Sequence, residues 1–209
     1  MTQASKIDLK KALKPFFSAP TGEFEEIELP AVSYLMIDGK GSPGDSPAYL
    51  TALQTLYPAA YALKFFSKQQ LGRDYVVPPL EGLWWSEKRD AFAAGRRDEW
   101  QWTMMIMVPD WIRQEQFAEV MCRLKSKKPE IDFSGLRMDS LHEGRSLQKL
   151  HLGSFADEAP ALRHLHDELM PSLGLTFNGH HHEIYLSDPR KVAPEKLRTI
   201  LRQPVRPIR

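Results

Sequence analysis

The stretch "AVSYLMIDGKGSPGDSPAYL" (residues 31–50) decides the fold, because a strand pattern gives way to a helix pattern within it. Its opening residues are rich in β-branched and large apolar side chains, which predicts a strand over 31–38. The glycines and prolines that follow force the chain to turn. Asp45 or Ser46 can then cap a helix, whose apolar side chains recur at helical spacing to about Lys68.

Two pairs of strand patterns follow further along the chain. "LEGLWWSE" (80–87) and "EWQWTMMIMV" (99–108) predict a long hairpin joined by a charged loop over 88–98. "GLRMDSLHE" (135–143) and "SLQKLHLGS" (146–154) predict a second hairpin with its turn between them. Both pairs indicate antiparallel pairing, because only antiparallel strands can be joined by so short a connection.

The remaining predicted elements are a helix after Asp110, a helix capped by Ser154 or Asp157 and stopped at Gly174, a strand over 179–186, and a short helix between Pro194 and Pro204. Hairpins dominate, and strands do not alternate one for one with helices. The pattern therefore predicts an α+β fold with a mainly antiparallel sheet, rather than a doubly wound parallel sheet. Strand, helix and strand follow one another in both 31–108 and 145–186, which hints at an internal repeat.

Composition limits the kinds of function. A chain of 209 residues suits a single domain over 1–209, with a short lead-in over 1–25 and a basic tail over 203–209. The formal net charge of +1 disfavours nucleic acid as a partner. The single cysteine excludes a disulfide framework, and no apolar run approaches the ~20 residues that span a bilayer. We expect a soluble, cytoplasmic protein, and the sequence leaves its oligomeric state open.

The strand predicted over 179–186 carries the most promising polar residues. Successive side chains of a strand point to opposite faces, so His181, Glu183 and Tyr185 share one face. The alternate residues, beginning with His182, read as core packing. A carboxylate partly removed from water beside a histidine and a tyrosine can act as an acid or a base. The alternative is that this face meets solvent and Glu183 is simply hydrated.

The stretch "LEGLWW" (80–85) predicts an aromatic wall. Glu81 and Trp85 share one face of this strand, and Trp102 on the facing strand of the hairpin could extend the wall. Aromatic rings beside carboxylates suit a flat, electron-poor or cationic organic ligand. The alternative is that each tryptophan only fills the core.

The sequence contains no motif for other kinds of catalysis or cofactor binding. There is no nucleophile elbow, Walker loop or dinucleotide-binding glycine fingerprint. Among the three consecutive histidines, only His180 and His182 could converge on one ion, because adjacent strand residues diverge. We therefore expect neither a metal nor a cofactor.

Four segments together resemble one known family: "YLMIDGKGSPGDSPAYLTALQTLYPAAYALK" (34–64), "LEGLWW" (80–85), "VPDW" (108–111) and "HHEIYLSDPRKVAPEKLRTILRQPV" (181–205). The chain resembles the GyrI-like small-molecule-binding proteins over about residues 8–205. Within them it looks like the stand-alone branch associated with hydrolysis of cyclopropanoid DNA-alkylating compounds. The resemblance implies two pseudo-symmetric β-α-β-β modules with a ligand cleft between them, and no attached DNA-binding domain.

The resemblance also implies roles for individual residues. The pocket glutamate of the family falls on Glu183, and the pocket strand supplies Glu81 and Trp85. We extend the wall to Trp102 and Tyr61 by our own facing argument. His181 joins the set as a neighbour of Glu183 on the same face.

These observations give one leading hypothesis and one alternative. The leading hypothesis is a hydrolase that adds water across the strained cyclopropane of a planar hydrophobic molecule and so detoxifies it. Glu183 would be the base and Glu81 a second carboxylate that positions the water. Tyr61 or Tyr185 would donate a hydrogen bond to the carbonyl that gains charge. The alternative is a binding module that sequesters hydrophobic or cationic compounds without converting them.

Overall fold

The computed structural model describes residues 6–44, 46–88 and 96–208. The strands in these ranges are β1 Ile7–Asp8, β2 Glu25–Leu29, β3 Val32–Lys40, β4 Tyr75–Val76, β5 Leu80–Trp85, β6 Gln101–Val108, β7 Arg137–Leu141, β8 Gly144–Leu152, β9 Leu175–Phe177, β10 His181–Tyr185 and β11 Arg198–Pro207. The α-helices are α1 Leu9–Ala12, α2 Pro47–Gln70, α3 Gln114–Lys127, α4 Ala159–Arg163 and α5 Met170–Ser172. A π-helical stretch, His164–Leu169, joins α4 to α5, and the three together are called the 159–172 helix below.

The strand and helix predicted from residues 31–50 are confirmed as β3 and α2. The Ser46 hydroxyl caps α2 by accepting a hydrogen bond from the Tyr49 amide at 3.3 Å, while Asp45 lies outside the described residues. The helix continues through Pro58. Its apolar stripe, which includes Leu56 and Leu63, is fully buried against the sheet. Packing of this stripe, rather than propensity alone, stabilises so long a helix.

One large sheet organises the molecule. Its strand order is β2-β8-β11-β10-β5-β6-β3-β7, with β9 pairing to the far part of β11, and all these pairs are antiparallel. The α+β class and the mainly antiparallel sheet are therefore confirmed. From the centre of the sheet, one side runs β10, β11, β8 and the other runs β5, β6, β3. On each side, the second strand follows the first along the chain and the third strand precedes both. This order agrees with two β-α-β-β modules, whose pseudo-symmetry stays a prediction.

The sheet curves back on itself. β2 leads into β3 through a two-residue link, and β7 leads into β8 through His142 and Glu143. The two ends of the strand order are thus joined directly by the chain. The second predicted hairpin is wrong for this reason: β7 pairs with β3 and β8 pairs with β2 and β11, so they do not pair with each other.

The curvature gives the sheet an inner face and an outer face. On the inner face, side chains from most strands form one apolar cluster that also buries Phe16 and Phe17 from the N-terminal segment. The outer face carries two separate clusters. One lies beneath α2 and α3, and the other lies beneath the 159–172 helix. The central strands β5 and β10 run between these two helical layers.

The described part of the 1–25 lead-in contributes buried core residues, and β2 begins at Glu25. The C-terminal segment differs from its prediction. Pro194 starts only a single 3-10 turn, and the predicted terminal helix is instead strand β11 in the middle of the sheet. The basic tail predicted for 203–209 is accordingly wrong up to Pro207, and Arg209 lies outside the described residues. The sequence did not reveal this strand, because Arg202, a charged residue in a basic stretch, is fully buried within it.

Candidate functional site

The floor of the candidate site is the outer face of β10 and β5. His181, Glu183 and Tyr185 lie on this face, as their alternation predicted. Glu183 pairs directly with Gly82 of β5, and His181 pairs with Trp84. Directly paired residues of antiparallel strands project to the same side. Glu183 and Trp84 therefore share the strip of sheet between α2 and the 159–172 helix.

A short chain of hydrogen bonds orients Glu183. The Trp84 indole Nε1 donates to the Tyr185 hydroxyl at 2.9 Å, and that hydroxyl donates to Glu183 Oε2 at 2.8 Å. The other carboxylate oxygen, Oε1, lies 3.6 Å from His181 Nε2. Burial and the negative charge of Glu183 raise the pKa of Tyr185 well above its usual value, so its proton stays in place. The side chain of Glu183 keeps 14% of its exposure, which leaves it reachable from solvent.

Gly82 makes room for this chain of hydrogen bonds. A Cβ at this position would lie 2.4 Å from Met104 Cε, 2.9 Å from Trp84 Nε1 and 3.1 Å from the Tyr185 hydroxyl. Any side chain here would displace the indole or the phenol. The glycine inside an otherwise apolar strand thus marks a close approach of side chains.

The walls of the site come from the two helical layers. Tyr49 of α2 packs edge-on to Trp102, with ring centroids 5.7 Å apart. Burial and the nearby charge of Glu183 raise the pKa of Tyr49 to about 12. On the opposite side, the Phe155 ring meets Tyr185 edge-on at 5.7 Å. Aromatic rings from α2 and from the segment before the 159–172 helix therefore lie beside Glu183 and its partner Tyr185.

A second carboxyl group stands beside the floor. Glu158 directly precedes α4, is 4% exposed, and its Oε1 has no hydrogen-bond partner among the described residues. It neighbours Thr199 of β11, which pairs directly with Tyr185. Burial, followed by the negative charge of Glu183, raises the pKa of Glu158. The site thus combines two carboxyl groups in different environments.

Two histidines lie at the other end of the strip. The rings of His166, from the 159–172 helix, and His181 meet edge-on with centroids 6.3 Å apart. Burial and the neighbouring His181 lower the pKa of His166 to about 4, so it is neutral near pH 7. Both ring nitrogens of His181 and Nε2 of His166 are buried without hydrogen-bond partners among the described residues. These atoms can bind polar groups of a ligand.

Glu81 and Trp85 do not belong to this strip, which corrects two of the predicted assignments. Both lie on the inner face, since Glu81 pairs with Ile184 and Trp85 stacks on His180 with ring centroids 4.2 Å apart. Glu81 and Glu183 are therefore separated by the sheet and cannot act on one water molecule. It is Trp84, the neighbour of Trp85, that contributes to the outer face.

Trp102 and Tyr61 are also placed differently from the prediction. Trp102 is on the outer face but fully buried: its ring packs on Gly39, and its Nε1 donates to the Gly41 carbonyl at 3.1 Å. It supports Tyr49 from behind rather than lining the site. Tyr61 lies on the exposed side of α2 with 47% exposure and its ring against Phe65. Neither residue can stack directly on a ligand over Glu183 in this arrangement.

The inner face holds a buried ionic cluster that the sequence did not reveal. His182 lies between two carboxylates, with Nδ1 2.8 Å from Glu143 Oε1 and Nε2 3.0 Å from Glu81 Oε2. Arg202 donates to Glu143 at 2.9 Å and also to Gln148. Burial alone would lower the pKa of His182, but the two carboxylates outweigh it and raise the pKa. His182 and Arg202 thus face the two carboxyl groups within one buried cluster.

Sequence reasoning missed Glu158, Tyr49 and Trp84 as parts of the site. Glu158 reads as an ordinary helix-start carboxylate, and nothing local indicates its burial. Tyr49 belongs to the apolar stripe of α2 and reads as core. The alternation of β5 places Trp84 on the face opposite Glu81 and Trp85. Assigning that face to the site required knowing that Glu183 pairs with Gly82. Within the described residues, no group of three or more His, Cys, Asp or Glu side chains is arranged to hold a metal ion.

Comparisons with known proteins identify the family. The family profile of the GyrI-like small molecule binding domain matches residues 22–206. Three solved structures from Listeria innocua are similar to the chain. A conserved protein has 40% identity and a TM-score of 0.87, covering 96% of this chain and all 100% of its own. A hydrolase encoded by lin2189 has 40% identity and a TM-score of 0.85, with 97% and 100% covered. A structure described as a hydrolase has 38% identity and a TM-score of 0.82, with 96% and 100% covered.

The chain therefore belongs to the GyrI-like small-molecule-binding family. A comparison with curated proteins gave no match. Among the described residues, no helix combines the length and apolar character needed to cross a membrane.

Proposed function

We propose that this protein is a cytoplasmic hydrolase that adds water to the cyclopropane of planar, carbonyl-bearing genotoxic compounds and so detoxifies them. The observation that carries the proposal is the presentation of Glu183. One of its oxygens is held by Tyr185, and the side chain remains reachable on a floor flanked by aromatic rings. Two Listeria innocua proteins described as hydrolases share 38% and 40% identity with the chain over nearly its whole length, which supports this class of activity.

Glu183 is the base in the proposed reaction. It takes a proton from water as the water oxygen attacks a cyclopropane carbon, and the ring carbon–carbon bond breaks. The released electron pair moves through the conjugated system to the carbonyl oxygen. A positioned base of this kind contributes about 10²- to 10⁴-fold to the rate. Ring strain supplies much of the remaining driving force.

Flat aromatic ligands suit the surroundings of Glu183. Tyr49 and Phe155 approach from the two helical layers, and Trp84 lies in the floor beside Tyr185. Rings of this kind stack against planar ligands and exclude water from the reacting atoms. Because Trp102 and Trp85 are held elsewhere, we assign the stacking role to these three residues.

The test is mass spectrometry of a planar cyclopropane-bearing compound after incubation with wild-type protein, Glu183→Gln and Glu195→Gln. Glu195 is an exposed glutamate in the 3-10 turn before β11 and serves as the matched control. We expect a product heavier by one water with wild type and Glu195→Gln, and a rate at least about 10²-fold lower with Glu183→Gln. Equal rates for wild type and Glu183→Gln would refute the role given to this residue.

A non-catalytic binding module is the second candidate. It is favoured by a carboxylate among aromatic rings, which also suits a hydrophobic cation, and by the small-molecule binding that defines the family. Equilibrium binding to Glu183→Gln separates the two. A catalyst retains affinity for its neutral substrate and loses turnover, whereas a cation binder loses affinity when the negative charge is removed.

A further inference from the structure

The proposed ring opening needs an acid as well as a base. As the carbon–carbon bond breaks, the carbonyl oxygen gains negative charge and must receive a hydrogen bond or a proton. The Tyr185 hydroxyl has one proton, which it already donates to Glu183 Oε2. Tyr61 is 47% exposed, and its ring lies against Phe65 of the same helix. Neither tyrosine suggested by the sequence is therefore free to serve the carbonyl oxygen.

Glu158 occupies the position that such an acid requires. It lies at the start of the 159–172 helix, beside Thr199 and across from Tyr185. Phe155, three residues earlier, packs on Tyr185 and fixes this end of the helix against the floor. Glu158 and Thr199 are neighbours, yet within the described residues neither Glu158 Oε1 nor the Thr199 hydroxyl meets hydrogen-bond geometry with any partner. Buried polar atoms are nearly always paired, so these atoms indicate a partner that arrives with the ligand.

The environment of Glu158 favours its neutral form. Burial, and then the negative charge of Glu183, raise its pKa, while the nearby Thr199 hydroxyl acts in the opposite direction. Lys149 and His151 of β8 also point to the outer face, as partners of Leu201 and Thr199, but His151 Nε2 is engaged with the Ser154 carbonyl at 3.1 Å. Two carboxyl groups of one site that differ in environment commonly divide into an acid and a base.

We propose that Glu158 is the proton donor of this site and presents a neutral carboxylic acid to the carbonyl oxygen of the ligand. The proposal rests on the proposed function, which it completes with a second catalytic residue. It also narrows the ligand class. A neutral carboxylic acid donates a hydrogen bond, so this site favours a ligand with an acceptor such as the oxygen of a ketone.

The step balances as an addition of water. The water oxygen forms a bond to the cyclopropane carbon, its proton passes to Glu183, and the ring carbon–carbon bond breaks. The electron pair reaches the carbonyl oxygen, which takes the proton of Glu158 and becomes a hydroxyl group. Glu183 ends protonated and Glu158 ionised, so transfer of one proton from Glu183 to Glu158 through solvent restores the starting state.

Two substitutions separate hydrogen bonding from proton transfer. Glu158→Gln keeps a hydrogen-bond donor but cannot release a proton, so turnover should fall at least about 10²-fold while the dissociation constant for the ketone stays unchanged. Glu158→Leu has neither property and should also weaken ketone binding by about tenfold or more. Glu168→Gln, on the exposed side of the same helix, is the matched control and should behave as wild type.

Infrared difference spectroscopy tests the protonation state without any substrate. At neutral pH the ligand-free wild type should show the carbonyl stretch of a protonated carboxylic acid, and this band should vanish in Glu158→Gln but persist in Glu168→Gln. A wild-type spectrum without the band overturns the proposal. Turnover by Glu158→Gln at the wild-type rate, with an unchanged pH profile, overturns it as well.

Failure of the hydrolase proposal gives a different result. In that case wild type binds an unstrained planar ketone but leaves the cyclopropane compound intact. Weaker ketone binding by Glu158→Leu would then still support a hydrogen bond from the neutral Glu158 carboxylic acid to the ligand, although the hydrolase proposal has failed. Equal affinities of wild type and Glu158→Leu would overturn the role of Glu158.

Discussion

Tyr185 is the residue that connects the floor of the site to its reactive carboxylate. Its hydroxyl accepts from Trp84 and donates to Glu183. Tyr185→Phe leaves the indole N–H unpaired and releases Glu183. We expect a loss of about 1–3 kcal/mol in the free energy of unfolding, measured by urea titration, together with slower turnover. Tyr61→Phe, on the exposed side of α2, should change stability by less than about 0.5 kcal/mol.

Glu158 should lower the stability of the native protein at neutral pH. Its folded pKa is raised above the ordinary value of 4.5, so the folded protein retains a proton that the unfolded chain releases. The stabilising contribution of this proton is fully present below the unfolded pKa and is lost as pH rises toward the folded pKa. Relative to Glu158→Gln, wild type should lose about 1.4 kcal/mol per pH unit in this window.

Thermal unfolding of wild type and Glu158→Gln between pH ~4 and pH ~8 measures this loss. The two proteins should unfold at similar temperatures at the acid end, and the variant should become the more stable one as pH rises. Parallel stability curves would show that Glu158 ionises as readily in the folded protein as in the unfolded chain.

Residue-level prediction succeeded where strand periodicity alone decides the outcome. The shared face of His181, Glu183 and Tyr185 follows from alternation within one strand. Alternation cannot say which face of a neighbouring strand lies beside it, because that depends on the pairing register. The choice of Glu81 and Trp85 over Trp84 failed at this step.

Among the elements, β5 depends on its glycine. Gly82→Ala would place a methyl group 2.4 Å from Met104 and 2.9 Å from the Trp84 indole, both packed in the core. We expect a loss of about 1–3 kcal/mol in stability and reduced turnover, because the indole can no longer hold Tyr185. Gly22→Ala, where nothing lies within 4 Å of the added carbon, is the control and should keep both properties. Unchanged turnover in Gly82→Ala would argue against the hydrogen-bond chain as a functional feature.

Element prediction was accurate for α2, α3, β3, β5, β6 and β10, whose apolar periodicity or β-rich composition is strong. It failed for β11, because the buried Arg202 and two prolines break the apolar pattern of a central strand. It also failed for the pairing of β7 with β8. Their link is short enough for a hairpin, and only the curvature of the whole sheet separates them.

The buried ionic cluster joins distant parts of the whole molecule. Arg202 of β11 contacts Glu143 in the β7–β8 link, Gln148 of β8 and the Phe16 carbonyl of the N-terminal segment. Arg202→Met leaves buried carboxylates with too little positive charge. We expect it to cost about 3–5 kcal/mol of unfolding free energy. Arg206→Met, exposed on the same strand, should cost less than about 0.5 kcal/mol.

The pH dependence of this cluster has a definite sign. The pKa of His182 is raised above its ordinary 6.5, so its contribution to stability is fully present below that pH. The contribution is lost as pH rises through the folded pKa. In denaturant titrations at increasing pH, the unfolding free energy of wild type should therefore fall. The His182→Gln variant should be less stable at every pH but should not show this fall. Identical slopes for the two proteins would mean that folding does not raise the pKa of His182.

The central claim is that ligands bind on the outer face of β10, between α2 and the 159–172 helix. A crystal structure of Glu183→Gln with a bound planar cyclopropane compound tests it most directly, because this variant should bind without turnover. The account predicts the cyclopropane carbons beside residue 183 and the carbonyl oxygen within hydrogen-bond distance of Glu158. A ligand seated against Trp85 on the inner face, or in the groove between α2 and α3 lined by Phe65 and Arg123, would contradict it.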